Sequence, residues 1–299
     1  MIRDRPAPLV PPGARVEFLE HRGGRVRLLR GGPADADGAV PLVLVHGGGP
    51  DHAGISWSPV FAALARDRPV LAFDLPGSGA TTVPVDGRPT ALADLAAEVA
   101  AAAGVPRAVW VGVSMGGDVV LNTALRHPDA VAGLVLVAPG GLVARAGSRG
   151  LHPLAWLVSR LPDPVLRPLV RFANRFIGTA LRAAVHDPDV VPAHLRDAMV
   201  REARHPDAAL GYLRYNQATL GPWRMRNDLT GRVGAIAAPA LLLHGRHDRL
   251  VPLHGSVVAA ATMRRARLVP VEGCGHWVQV ERPEVFLAEV ARFLRTLPA

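Results

Sequence analysis

The stretch Ala108-Val-Trp-Val-Gly-Val-Ser-Met-Gly-Gly-Asp118 constrains this chain more than any other. Its apolar, β-branched opening, Ala108–Val113, reads as a buried strand, and a helical pattern begins directly after Ser114. A serine at so sharp a strand-to-helix corner carries a strained backbone. Glycines at 112 and 116 let the neighbouring elements come close enough to hold it. The corner lifts the hydroxyl off the end of the sheet and turns the Met115 amide toward whatever the hydroxyl attacks. A turn serine bonding its own backbone is the other use of such a pentapeptide. The rest of the chain decides between them.

Residues 1–14 are proline-rich and read as extended chain. Residues 15–21 and 25–30 alternate apolar and polar side chains around Gly23-Gly24, a hairpin pattern for the edge of a sheet. Pro41-Leu-Val-Leu-Val45 is continuously apolar, as a strand covered on both faces would be, and opens into His46-Gly47-Gly48-Gly49-Pro50. Three glycines in a row are entropically costly, so the spacing predicts a backbone that closes on a ligand with its amides inward. Gly48 and Met115 are the two expected oxyanion donors, with Gly47 and Gly49 beside the substrate. His46 is expected to order this loop by hydrogen bonds, Trp57 to pack over it, and Asp74 to hold loop amides.

Helices are predicted over 56–66, 90–103 (capped by Thr90), 115–127, 255–263 and 283–297, and further strands over 69–73, 131–137, 239–244 and 266–271. Between about 142 and 232 the buried strand runs vanish. Helical patterns broken by Pro162, Pro164, Pro168, Pro188, Pro192 and Pro206 take their place. The domain reading is a sheet core over 1–141 and 233–299 with a helical lid over 142–232 inserted in it. Among the lid aromatics (Trp156, Phe172, Phe176, Tyr212, Tyr215 and Trp223), most are expected in its core and one or two facing a pocket. Strands alternating with helices give an α/β fold with a doubly wound, mostly parallel sheet.

The chain has 299 residues, 49% of them hydrophobic, enough for one sizeable core with an insertion. Its formal charge of +9 comes from 34 basic residues that are all arginine, scattered without a basic block. That scatter speaks against nucleic-acid binding. The one cysteine, Cys274, excludes an internal disulfide and is expected to be a packing residue. Neither a signal-peptide start nor roughly 18 consecutive apolar residues occurs. The expectation is a soluble cytoplasmic protein with a small-molecule substrate as partner, no nucleic acid and no membrane; a homodimer is compatible with the sequence.

In a doubly wound sheet, ligands bind beyond the carboxyl ends of the strands. Gly48, Ser114, Asp248 and His276 all follow strand ends. A serine needs a base to take its proton, and that base needs a carboxylate to fix its tautomer. Ser114, Asp248 and His276 are therefore the candidate nucleophile, acid and base; His244 and His247 lie too close to Asp248 to partner it and read as supporting residues. No His/Asp/Glu cluster has metal-ligand spacing, so neither a metal nor another cofactor is implied.

Four motifs, His46-Gly-Gly-Gly-Pro50, Gly112-Val-Ser-Met-Gly116, Gly245-Arg-His-Asp248 and Gly275-His276, resemble those of the α/β-hydrolase superfamily over nearly the whole chain. Within it the chain is most similar to the meta-cleavage-product hydrolases, which split carbon–carbon bonds in vinylogous diketones. The shared features are the triple-glycine loop with Pro50, Ser-Met-Gly-Gly at 114–117, and Trp277 directly after the histidine, expected at the substrate. Two departures follow. Val113, also expected near the substrate, stands where that family usually has Asn, which moves esters and lactones ahead of carbon–carbon substrates. That family's lid arginine for a substrate carboxylate has Arg196 and Arg201 as its candidates. Haloalkane dehalogenase and epoxide hydrolase chemistry need an Asp nucleophile where this chain has Ser114. An acyltransferase or cyclase, and a non-catalytic receptor, are the remaining readings.

Overall fold

Runs that are apolar at every position and only four to seven residues long are strands covered on both faces. In the computed structural model, which describes residues 7–34, 38–145, 151–205 and 207–297, they become β3 (Leu42–Val45), β4 (Val70–Phe73), β5 (Ala108–Val113), β6 (Val131–Val137) and β7 (Ala240–Gly245). Every residue in these five strands is buried. The hairpin β1 (Arg15–His21) and β2 (Gly24–Gly31) closes one edge antiparallel, and β8 (Ala266–Val271) closes the other parallel. The order is β1-β2-β4-β3-β5-β6-β7-β8, with β5 central.

Alternation sorts the strand side chains into two layers. Val43, Val45, Trp110, Leu134 and Leu136 face one way and pack with α3 (Pro89–Ala102) and α4 (Met115–Arg126). Leu42, Leu44, Val109, Val111 and Val135 face the other way, toward α1 (Ala53–Trp57), α2 (Phe61–Leu64) and α12 (Pro283–Leu294). The expected 56–66 helix is these two short pieces, interrupted at Ser58-Pro59. The expected 90–103 helix starts at Pro89 rather than at Thr90, with Arg88 at the cap and no side-chain cap bond. Proline's fixed φ suits the first helical position and needs no hydroxyl cap. Trp57 is wholly buried and packs against Phe286 of α12, at 6.3 Å between ring centroids, instead of over the glycine loop.

Between β6 and β7 the chain leaves the sheet for α5 (Leu151–Ser159), α6 (Asp163–Asn174), α7 (Ile177–Ala184), α8 (Ala193–Ala203) and α9 (Leu210–Thr219). After β7 come α10 (Leu253–Thr262), then β8 and the short α11 (Val278–Glu281). The expected breaks at Pro162, Pro188 and Pro192 fall at helix starts, whereas Pro168 lies inside α6 and Pro206 outside the described residues, as does the first part of the proline-rich start. Four of the six cap aromatics, Phe172, Phe176, Tyr212 and Trp223, are exposed rather than buried. No helix among the described residues is long and apolar enough to cross a membrane.

Under the glycine loop lies a buried ion pair. Arg27 Nη1 donates to Asp74 Oδ2 at 3.2 Å, and the same carboxylate accepts the amides of Ala53 and Ala80 at 3.1 and 3.0 Å. Burial alone would raise the Asp74 carboxyl; the charges of His52, Arg27 and His46 outweigh it and hold the group below the ordinary carboxylate range. Breaking such a pair leaves an uncompensated charge in the core. Asp74→Ala should therefore cost about 3–5 kcal/mol in urea unfolding, and the double change Arg27→Met, Asp74→Leu should recover much of it. Equal stability of the single and double variants would show that the pair carries no such constraint.

Candidate active site

Ser114 sits between β5 and α4 at φ 54 and ψ −120, a positive φ that costs a side-chain-bearing residue roughly 1–3 kcal/mol. The neighbours enforce it. The Ser114 amide donates to Val137 O at 3.0 Å, and its carbonyl accepts from the Gly117 and Gly140 amides at 2.9 and 2.7 Å. A methyl at Gly112 would collide with the Gly116 carbonyl, and one at Gly116 with the carbonyls of Val45 and His46. The glycine spacing is thus a contact requirement between the elbow and the central strands.

The glycine loop is tied from below. His46 Nδ1 donates to Gly47 O at 2.7 Å, while its Nε2 accepts the Leu75 amide at 2.9 Å, which fixes the ring's tautomer and gives His46 the ordering role expected of it. Asp51, buried and unforeseen in the sequence, accepts Ser56 Oγ at 2.6 Å, the His52 amide at 2.8 Å and the Gly47 amide at 3.2 Å. From above, the Tyr212 ring of α9 lies where a Cβ on Gly48 would be. Only glycine leaves room there for the cap to rest on the loop.

Asp248 follows β7 and caps its own turn, accepting the Leu250 and Val251 amides at 2.8 and 3.0 Å. His276 Nδ1 donates to Asp248 Oδ2 at 2.7 Å. His244 stands behind the pair: its Nε2 donates to Val251 O at 2.9 Å and lies 3.3 Å from Asp248 Oδ2, and its Nδ1 accepts from Ser256 Oγ at 2.8 Å. Burial pushes the Asp248 carboxyl up, but the hydrogen bonds from His244 and His276 and the His276 charge hold it well below the ordinary range. It is an anion across the physiological range. His247 stacks on His186 of the cap at 4.2 Å between centroids. Cys274 is buried and its thiol is pushed far up by that burial, so it packs rather than reacts.

A second unforeseen carboxylate, Glu281, holds the histidine loop. It accepts the amides of Gly275, Trp277 and His186 at 2.9, 3.1 and 2.7 Å. A third, Asp118 of α4, joins core to cap. Tyr215 Oη of α9 and Asn227 Nδ2 donate to its Oδ2 at 2.7 and 2.6 Å, and Asn122 Nδ2 to its Oδ1 at 2.9 Å. Full burial raises its carboxyl to about 6 despite these donors.

Ser114, His276, Trp277, Gly47, Gly48 and Gly49 line one cavity of about 490 Å3 beneath the cap. Asp248 sits behind His276 rather than on its wall, and Met115 brings only its backbone to this corner, its side chain being buried in the core. Val113 is a correction: it lies in β5 with its side chain in the sheet core, as alternation next to Ser114 dictates, and does not reach the cavity. Arg196 and Arg201 are not on this cavity either. Arg196 Nη1 donates to the carbonyls of Pro188 and Val191 at 3.3 and 2.8 Å, and Arg201 lies near His52 and Pro8. The cap side of the wall is Val170, Asn174, Ile177, Tyr212 and Asn216, with apolar residues between them.

Comparison with known proteins agrees with this architecture. Residues 40–283 match the family described as alpha/beta hydrolase fold. The chain is 32% identical over 267 residues to 2-hydroxymuconate semialdehyde hydrolase of Pseudomonas sp. (strain CF600), across 87% of this chain and 88% of that one, in line with the resemblance to meta-cleavage-product hydrolases. Among solved structures it is similar to a membrane phospholipase A described as a bacterial virulence factor (27% identity, TM-score 0.78, 95% and 87% of the two chains). An esterase of Rhodococcus sp. ECU1013 is likewise similar (25% identity, TM-score 0.73, 96% and 100%).

The Asp118 carboxyl has a sign that can be tested. Its folded value of about 6 exceeds the unfolded value near 3.8, so folding takes up a proton between those pH values. Its contribution is fully present below about pH 4 and is lost as pH rises through about 6. The stability difference between wild type and Asp118→Asn should therefore move by about 2 kcal/mol toward the variant between pH 4 and 7, read by urea unfolding at each pH. A difference independent of pH would mean that the carboxyl is ionised throughout.

Proposed function

The chain belongs to the alpha/beta hydrolase family, and from that premise we propose that it hydrolyses carboxylic esters or lactones of small-to-medium apolar acids through an acyl-enzyme on Ser114. With His276 Nδ1–H committed to Asp248, Nε2 carries the lone pair that takes the Ser114 proton. The hydroxyl oxygen attacks the carbonyl, and the Gly48 and Met115 amides receive the developing oxyanion. His276 then protonates the leaving alkoxide, and a second cycle with water in place of serine releases the acid. Asp248, anionic and fixed by two backbone amides and two imidazoles, stabilises the imidazolium in each half.

The observation that carries the ester reading is the cavity wall. Its polar side chains among the described residues are Ser114, His276, Tyr212 and the amides Asn174 and Asn216, with no arginine or lysine. A dienoate substrate brings a carboxylate, and burying that charge without a cation is costly. A neutral acyl chain fits such a wall. Asn174 Nδ2 is buried without a hydrogen-bond partner, so it offers a donor to an oxygen remote from the reacting carbonyl. Carbon–carbon hydrolysis remains the second reading because the semialdehyde hydrolase is 32% identical. An acyltransferase or cyclase on the same acyl-enzyme is separated from either by product analysis with and without added alcohol.

The test compares chromogenic esters of increasing chain length with a vinylogous diketone whose coloured dienolate fades on cleavage. Esters should turn over with a medium-chain optimum, and Ser114→Ala should lower kcat by roughly 10^4-fold or more. Asn174→Ala should raise KM about tenfold for an ester with a distal oxygen and leave a plain alkyl ester unchanged. Dienolate turnover far above every ester would replace this reading with the carbon–carbon one.

A further inference from the structure

The cap wears its apolar residues on the outside. Half of the exposed large apolar side chains among the described residues fall within residues 151–176. On α5 they are Leu151, Leu154 and Leu157, exposed by 55–61%, and the less exposed Val158; on α6 and just beyond it they are Val165, Leu169, Phe172 and Phe176. The spacing of four, three and four in the second set makes a single stripe. A helix normally turns such a stripe inward, yet in α6 the inward positions are already taken by Leu166, Val170 and Asn174, which meet the core or the catalytic cavity. The remaining side of α6 carries Arg167 and Arg171, with Arg175 just after it. α6 is therefore a wall with substrate on one side, an unpartnered apolar stripe on another and cations on the third.

Both helices are tied to α9. Arg214 of α9 holds Asp163 at the start of α6, and Gln217 donates to Ser159 O at the end of α5 at 3.1 Å. His152 of α5 bonds the Gly221 carbonyl at 3.0 Å, which brings up the loop bearing Trp223, exposed by 72%, and Arg224. Residues 151–184 contain five arginines and one acid, Asp163, which is already paired with Arg214 and Arg167; Arg167 also lies 3.6 Å from Asp207.

We propose that this cap face docks on an anionic phospholipid surface, with Phe172, Phe176 and Leu169 entering the acyl boundary and the flanking arginines meeting headgroup phosphates. Charge complementarity selects the occupant. A second copy of the chain would bring arginine against arginine in a two-fold contact, whereas an anionic bilayer answers the cations and covers the apolar stripe together. Arginine stems lie along apolar surface while their heads stay in the phosphate layer. An expectation of no membrane partner drawn from missing spans does not reach this case, because a peripheral helix lies on the bilayer without crossing it. Docking stands on the surface alone. Its consequence for substrate, a lipid-dissolved ester entering past α6, rests on the ester reading.

The experiment is sedimentation of the full chain with large unilamellar vesicles of phosphatidylglycerol and phosphatidylcholine, or of phosphatidylcholine alone. The chain should sediment with the anionic vesicles, weakly with the neutral ones, and less as salt rises. The double change Phe172→Ser, Phe176→Ser should weaken partitioning roughly tenfold or more, and Arg175→Gln, Arg182→Gln should weaken it on anionic vesicles alone. Hydrolysis of a short soluble ester by both variants should match wild type, which shows that they fold. Absence of that hydrolysis in wild type would remove the ester reading and leave docking to be judged by sedimentation. No binding to anionic vesicles, binding indifferent to the phenylalanines, or a dimer in gel filtration that the phenylalanine changes abolish would overturn the proposal.

Discussion

Loop amides at the carboxyl ends of the strands are gripped by carboxylates buried beneath them, and the site depends on that grip. Asp74 takes the amides of Ala53 and Ala80, Asp51 those of Gly47 and His52, Glu281 those of Gly275 and Trp277, and Asp248 those of Leu250 and Val251. A buried carboxylate is costly unless it accepts several donors, and a glycine-rich loop is mobile unless its amides are held. Each problem answers the other. The charge-assisted bonds fix these loop amides, with the elbow at Ser114 held by the backbone bonds of β6 and Gly140.

How much of this is legible in the chain follows from the range over which each signal acts. The five central strands announce themselves because full burial leaves an unbroken apolar run, and Ser114 and Asp248 announce themselves because each follows such a run; His276 follows the half-buried β8 and is marked by its glycine-bracketed loop and chain order. The gripping carboxylates are less visible. Glu281 sits four to six residues from the amides it takes in its own loop, but the His186 amide is 95 residues away, and nothing local marks it. Asp118 stands inside the most conspicuous motif of the chain, yet its partner Tyr215 is 97 residues distant. Val113 shows the opposite error. Adjacency to a nucleophile suggested contact with substrate, whereas strand alternation sends the side chain at 113 into the sheet. The cap was the least legible part because helical periodicity separates faces without saying which one meets the core, and α6 has two apolar faces.

The cap is joined to the core at the same places where the chemistry is assembled. Tyr212 rests on Gly48, Tyr215 bonds Asp118 in the helix that follows the nucleophile, and the His276 amide donates to the Ala184 carbonyl at 2.9 Å. The glycine loop and the elbow helix therefore both touch α9, while the His276 loop touches the end of α7. Substrate selection and catalytic geometry share these contacts, which is how one core can serve ester and carbon–carbon chemistry in different relatives. In this chain the candidate arginines lie off that cavity, Arg196 on two backbone carbonyls.

The insertion of the cap between β6 and β7 also orders events in time. β6 and β7 are hydrogen-bonded neighbours, yet the chain travels from Val137 to Ala240 before the second can join the first. A growing polypeptide can fold the corner at Ser114 against β3, β5 and β6 while the carboxylate at 248 and the imidazole at 276 are still unsynthesised. Through that interval the serine is an ordinary alcohol. On the proposed roles, serine and imidazole can come together only when β7 and β8 add to the sheet's far edge, so the nascent chain stays chemically silent until both strands are in place.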